Sequence, residues 1–176
     1  MRNECRDPTD PHIVIAMSGG VDSSVAAVLL KRAGYRVSAV FMKNWNEPAQ
    51  DGHCEWEDDV NDVLSVCDSL DIEVNTVDLS KAYWDGVFEE FLDEYRRGRT
   101  PNPDVLCNRE VKFKAFLEHA STIGGDLVAT GHYAKHLTMN GTETLHKGAD
   151  LSKDQSYFLY AIGQRALTRT VFPLGN

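Results

Sequence analysis

Ile13 to Met17 is an unbroken apolar run of strand length that ends, with no spacer, in Ser18-Gly19-Gly20-Val21-Asp22-Ser23-Ser24. A short continuous apolar run fits a strand buried on both faces, as in the middle of a parallel sheet. Val25, Val28, Leu29 and Arg32 then recur at helical spacing, and Gly34 can stop that helix at its C′ position. A strand, a glycine turn and a helix in immediate succession bring several backbone N–H groups and the positive end of a helix dipole to one point, where two glycines let a ligand approach. Such a point attracts phosphate. The loop lacks the lysine of G-x-x-x-x-G-K and the spacing of G-x-G-x-x-G, so kinase and dehydrogenase readings are weak. On spacing alone, Gly19-Gly20 reads equally well as an ordinary strand-to-helix turn with Asp22 or Ser23 as N-cap.

The rest of the chain repeats the alternation. Val37 to Met42 and Ile72 to Val77 read as strands, separated by a polar stretch from Lys43 to Cys54 and a helix carrying Val60, Val63, Leu64, Cys67 and Leu70. A second amphipathic helix with Trp84, Val87, Phe88, Phe91, Leu92 and Tyr95 on one side ends at Arg96-Arg97-Gly98. Arg99 to Cys107 reads as a Pro-rich loop, Val111 to Ala120 as a helix, and Leu127 to Thr130 as a short buried strand before Gly131-His132. Asn140-Gly141 marks a hairpin turn. Ser152 and Gln155 have the spacing of a capping box, which predicts a helix through Ile162, and a further strand starts near Val171. Strands alternating with helices predict an α/β fold, a parallel sheet with helices on both faces.

Bulk properties narrow the class. The longest apolar runs, Val25 to Leu30 and Val37 to Met42, fall far short of a bilayer span, and Met1 to Asp10 holds Glu4, Asp7 and Asp10 with no apolar core, which argues against a secretory signal. A cytoplasmic site is expected, with no membrane partner and no DNA. The four cysteines, Cys5, Cys54, Cys67 and Cys107, form no CxxC pair, so free thiols are expected rather than a disulfide frame or a zinc site. The net charge of −9 conflicts with nucleic-acid binding unless basic residues cluster locally, and Arg96, Arg97, Arg99, Arg109, Lys112 and Lys114 are the candidates for such a patch.

In Thr100-Pro101-Asn102-Pro103-Asp104-Val105-Leu106-Cys107-Asn108 a carboxylate precedes a thiol by three residues, and two prolines restrict the backbone between the helices. With Cys107 read at a helix start beside Arg109 and Lys112, the nucleophilic thiolate is the expected form. Cys67, on an apolar helix stripe, reads as core.

These motifs carry a resemblance. Ser18 to Ser24 resembles the PP-loop of N-type ATP pyrophosphatases, which split ATP to AMP and pyrophosphate while adenylating a substrate oxygen. Thr100 to Phe113 closely resembles the corresponding segment of tRNA-specific 2-thiouridylases, and Phe41 to Trp45, Ala129 to Ala134 and Lys153 to Phe158 extend the similarity across nearly the whole chain. The resemblance implies a Rossmann-like fold of the adenine nucleotide alpha hydrolase (HUP) type, formed by residues 10 to about 165, with C-terminal tRNA-binding domains outside this chain. It implies ATP bound by Ala16, Met17, Ser18, Gly19, Gly20, Val21, Asp22, Ser23, Met42 and Gly131, with Mg²⁺ carried by ATP near Asp22 rather than held by a protein-only site. It further implies that Asn102, Pro103 and Asp104 contact the target base, that Lys153, Asp154 and Gln155 contact tRNA, and that Asp104 is the acid/base and Cys107 the thiol. The sulfur would come from a persulfide-carrying relay protein, and the family's second cysteine would lie beyond residue 176.

Read one by one, several of these residues also have plainer explanations. Met42 can end a core strand, Gly131 can be a turn, His132 a hydrogen-bonded core histidine, and Lys153 to Gln155 the first turn of a capped helix. Two other functions share the glycine loop: an amide-forming ligase acting on a small molecule, which would not need Cys107, and a nucleotide- or tRNA-binding module without chemistry.

Overall fold

The computed structural model describes residues 11–45 and 55–176. Strand β1 (His12–Met17) runs into helix α1 (Val21–Arg32), followed by β2 (Arg36–Lys43), α2 (Glu55–Leu70) and β3 (Glu73–Asp78). Helix α3 covers 80–96 and α4 covers 103–122; then come β4 (Leu127–Ala129), the hairpin β5 (Ala134–Met139) and β6 (Thr142–Lys147), a 3₁₀ turn (Ser156–Phe158), α5 (Gln164–Leu167) and β7 (Thr170–Val171). The main sheet is parallel in the order β3-β2-β1-β4-β7, and β5-β6 forms a separate antiparallel ribbon.

β1 lies in the middle because from Ile13 to Met17 it carries only apolar side chains. Ile13, Ile15 and Met17 point into one apolar layer with Ala26, Ala27, Leu30, Val63 and Cys67 from α1 and α2. Val14 and Ala16 point into the opposite layer with Phe113, Phe116, Leu117 and Ala120 from α4. Helices therefore cover both faces, as the apolar run of β1 requires. The small residues Ser23, Ala26 and Ala27 on the buried side of α1 let that helix sit close to the sheet, while Val25 and Leu29 stay partly exposed. Val25, Val28 and Leu29, whose spacing carries this helix in the sequence, are therefore not its buried side; that side is Ser23, Ala26, Ala27 and Leu30. Cys67 is 1% exposed and belongs to the core, as its position on the helix stripe predicts. Cys5 and Cys54 lie outside the described residues.

Three elements differ from the sequence reading. The segment 99–107 is not a loop throughout: the Asn102 side chain accepts from the N–H groups of Asp104 (3.1 Å) and Val105 (3.4 Å), so a helix starts at Pro103, where a missing N–H costs nothing. Within α4 the span Cys107–Ala115 is wound as a π-helix, with Phe116 N–H reaching back five residues to the Val111 carbonyl. A second π span, Trp84–Phe88, lies in α3, and its Gly86 faces Glu110, whose Cβ would be 3.2 Å from a methyl group placed there.

The helix expected from Ser152 to Ile162 is absent. Asp150 instead accepts from both the amide (2.9 Å) and the hydroxyl of Ser152, and the Gln155 side chain turns to Tyr133 rather than back to residue 152. Only the 3₁₀ turn remains. The hairpin at Asn140-Gly141 is as expected, with both residues at positive φ (52° and 77°), the signature of a type I′ turn. Among the described residues no helix is long and apolar enough to cross a membrane.

Candidate functional site

The sheet order reverses at β1, whose neighbours β2 and β4 lie on opposite sides, and the crevice outside the carboxyl ends of β1 and β4 is where ligands bind in sheets of this kind. A cavity of about 200 Å³ occupies that place. Its walls include Ala16, Met17, Ser18, Asp22 and Ser23 from the end of β1 and the glycine turn, Met42 from β2, Thr130, Gly131 and His132 after β4, Gln155, and Lys112 from α4.

The glycine turn is shaped by contacts that admit no side chain. Gly19 has φ +78°, and a Cβ there would meet the Asp59 carbonyl oxygen at 2.9 Å. Gly20 caps α1, replacing the expected Asp22 or Ser23; it does so through its backbone carbonyl, which accepts from the Ser23 and Ser24 hydroxyls at 3.0 Å each. Ser23 Oγ also accepts from Ser18 N–H at 3.3 Å, which ties the end of β1 to the first turn of α1. Freed of side-chain caps, the first amides of α1 keep their capacity to bind an anion.

Gly131 closes the opposite wall. A Cβ there would sit 2.8 Å from the Ser23 backbone nitrogen, so the end of β4 can touch the start of α1 only as glycine. Tyr133 then donates its hydroxyl to Asp22 Oδ1 at 2.9 Å, and it exchanges two hydrogen bonds with Gln155: Tyr133 N–H to Gln155 Oε1 (3.1 Å) and Gln155 N–H to the Tyr133 carbonyl (3.2 Å). Lys153 Nζ lies 5.9 Å from the centre of the Tyr133 ring, and Asp154 accepts from Ser156 N–H at 3.1 Å. Neither Lys153 nor Asp154 lines the cavity.

His132 is half-buried between Phe113 and Phe172, its Nδ1 at 2.8 Å from the Thr130 hydroxyl. Burial, reinforced by the Lys112 ammonium, pushes its pKa down to about 3, so the imidazole is neutral at physiological pH. Lys112 itself is half-buried and, among the described residues, makes no ion pair. The other members of the expected basic patch are all ion-paired, five cations sharing four carboxylates: Arg96 and Arg97 with Asp93, Arg97 and Arg99 with Glu94, Arg109 with Glu90 and Glu110, and Lys114 with Glu110. The patch read from the sequence is therefore a network of surface ion pairs with one unpaired cation, Lys112, at the cavity.

Asn102, Pro103, Asp104 and Cys107 stand outside the cavity, on the first turns of the helix whose next turn supplies Lys112. Asp104 is exposed; Cys107 is half-buried beside Val87, Leu106, Val111 and Tyr83. The expected thiolate is not favoured. Burial raises the Cys107 pKa above the usual thiol range, Lys112 lowers it and Asp104 raises it again. The helix starts at Pro103, so Cys107 lies a turn inside it, away from the free amides, and Arg109 is occupied by glutamates. Among the described residues no group of three or more His, Cys, Asp or Glu could hold a metal ion.

Of the residues singled out in the sequence, the structure brings together Ala16, Met17, Ser18, Asp22, Ser23, Met42, Gly131 and Gln155 around one cavity. Gly19 and Val21 face a neighbouring groove between α1 and α2, with Val25, Val28 and Leu70. Thr130 and His132 also line the cavity, beside Gly131, and so does Lys112, which the sequence places only beside Cys107 and in the candidate basic patch.

A parallel sheet of five strands with a glycine turn at its switch point defines a doubly wound α/β class of domain. The family described as tRNA methyl transferase HUP domain matches residues 11–176, and the chain belongs to it. The chain is 56% identical over 169 residues to a tRNA-specific 2-thiouridylase MnmA of Bacillus cytotoxicus and 55% identical to that of Bacillus thuringiensis, covering 96% of this chain and 46% of each relative. It thus spans about half the length of the curated relatives it matches. A solved structure described as a predicted subunit of tRNA methyltransferase from Methanocaldococcus jannaschii shares the fold, with a TM-score of 0.51 and 16% identity over 93% of this chain and 69% of that one.

Proposed function

We propose that this chain is the ATP-using, base-activating part of a tRNA-uridine 2-sulfurtransferase acting on a wobble uridine. The observation that carries the reading is the meeting, at one switch-point cavity, of the glycine turn, Met42 and Gly131 with the helix that bears Asp104 and Cys107, in a chain 56% identical to a tRNA-specific 2-thiouridylase.

ATP phosphates lie against the turn Ser18 to Ser23, of which Ser18, Asp22 and Ser23 line the cavity and Gly19 and Val21 border the adjoining groove with Gly20 between them, and the adenosine end lies toward Ala16, Met17, Met42 and Gly131. Mg²⁺ travels with ATP, and the exposed Asp22 carboxylate at the cavity rim fits a role beside it. The uridine C2 oxygen attacks the α-phosphorus and pyrophosphate leaves; a sulfur nucleophile then adds at C2, the C–O bond breaks and AMP departs. Asn102, Pro103 and Asp104 meet the base and Asp104 handles the proton; sulfur delivered by a persulfide-bearing protein to the family's second cysteine adds to C2 as that cysteine's persulfide, and the Cys107 thiolate attacks the inner sulfur, so that the sulfur–sulfur bond breaks, a disulfide forms and the outer sulfur stays on C2. Lys153, Asp154 and Gln155, beyond the Tyr133 wall, meet the tRNA. A raised thiol pKa suits this order of events, because a protonated Cys107 does not react until sulfur or base is brought to it.

The test is pyrophosphate release from ATP with and without unmodified tRNA, for the chain and its Asp22→Ala and Cys107→Ser variants. Release that requires tRNA and Asp22 but survives loss of Cys107 supports adenylation ahead of sulfur transfer. Release that ignores tRNA and is driven by a small carboxylate would replace this reading with an amide-forming ligase.

A further inference from the structure

Lys112 has three properties that no other cation near the site combines. It lines the cavity at the switch point. It is half-buried, and its neighbours in the chain, Val111 and Phe113, are both buried. It makes no ion pair among the described residues, whereas Arg109 and Lys114 on the same helix are both bound to Glu110. A partly desolvated ammonium without a counter-ion is unfavourable by itself and becomes favourable when an anion fills the space in front of it.

The winding of α4 explains how the same side chain also reaches the cysteine. With 3.6 residues per turn, a residue five positions on is rotated by about 140° from the first, nearly to the other side of the helix. In the π span Cys107–Ala115 the repeat closes at i→i+5, so Lys112 returns close to the face that carries Cys107. Two electrostatic effects agree with this placement: Lys112 favours the thiolate of Cys107 and disfavours protonation of His132 on the cavity wall.

Resting on the reading of the cavity as a nucleotide site, we infer that Lys112 is a catalytic cation of this reaction: its ammonium binds the phosphoryl oxygens of a nucleotide in the cavity, and the π winding of α4 sets it between that phosphate and Cys107. The charge is needed twice, when pyrophosphate leaves and when AMP leaves, because both departures leave negative charge on phosphoryl oxygen next to the same helix turn.

The experiment measures binding of ATP and of adenosine to the chain and to its Lys112→Met and Lys112→Arg variants, with thermal unfolding as the fold control and the pH profile of Cys107 alkylation as a second readout. Lys112→Met is expected to weaken ATP by about tenfold or more, the effect of one charge-assisted hydrogen bond, and to leave adenosine unchanged. Lys112→Arg is expected to recover most of the ATP affinity, and the alkylation profile of Lys112→Met to move to higher pH. A purely structural lysine would weaken both ligands together or neither. Wild-type protein that binds ATP, with a Lys112→Met variant that binds it equally well, overturns the inference and leaves the nucleotide site standing. Wild-type protein that binds neither ligand overturns the reading of the cavity and the inference with it.

Discussion

The Tyr133 hydroxyl donates to Asp22 Oδ1 across 2.9 Å, joining the first turn of α1 to the segment that follows β4. The bond holds the carboxylate at the rim of the cavity, and by holding the phenol proton it raises the Tyr133 pKa, with the Asp22 charge adding to the effect. Asp22→Asn keeps a hydrogen-bonding side chain but removes the charge. It is expected to abolish the Mg²⁺ dependence of ATP binding, while Tyr133→Phe retains it and shifts the thermal midpoint little, since both groups are exposed at their contact. Titration of ATP with and without Mg²⁺ checks both variants.

Gly131→Ala drives a methyl group to 2.8 Å from the Ser23 nitrogen, against backbone that cannot swing aside. The expected loss is about 1 to 3 kcal/mol of stability, together with ATP binding. Gly163→Ala meets nothing within 4 Å and serves as the control, with a cost below about 1 kcal/mol. Urea unfolding of the two variants separates them.

The central part of the fold and much of the site could be read from residues alone, for a physical reason. β1, the glycine turn and α1 are specified by local patterns: an all-apolar run, two glycines and a C′ glycine leave one arrangement for the backbone. The winding of α4 could not be read this way, because α and π helices present similar short-range apolar spacing and differ only in which carbonyl each amide finds. The false helix at Ser152 arose because a capping-box pattern names two side chains and ignores competitors; Asp150 and Tyr133 take both of them. Lys112 was one cation among several until the partners of its neighbours were located.

His132 provides a pH test. Its pKa is about 3 in the folded chain against 6.5 for an ordinary histidine, so between these values the unfolded chain binds the extra proton. The stability due to the neutral imidazole is therefore complete above pH 6.5 and falls as the pH drops toward 3. At pH 5 the loss is about 2 kcal/mol. Denaturant unfolding at pH 7.5 and 5.0 is expected to show that drop in the wild type and a smaller one in His132→Gln; equal drops would place the titration elsewhere.

Burial is the main reason the Cys107 thiol pKa is raised, and the Asp104 carboxylate, one helical turn away, adds to it. Asp104→Asn is expected to lower the pKa and accelerate iodoacetamide alkylation of Cys107 at pH 7.5 severalfold, with Cys107→Ser giving the background from the other thiols. A slower reaction in Asp104→Asn would mean that the aspartate assists the thiol rather than opposing it.

The sheet order also dictates a sequence in time. Val14 pairs with Ser38 on one side and with Val128 on the other, so β1 acquires its first neighbour early in synthesis and its second only after some ninety further residues have emerged. A nascent chain can assemble β1, β2 and β3 under α1 and α2 while the other edge of β1 still has no partner. During that interval the glycine turn already exists, but Gly131, His132 and Gln155 do not stand opposite it. The cavity is completed by the late half of the chain closing on the early half, which leaves a growing polypeptide with a binding loop and nothing to hold a ligand against.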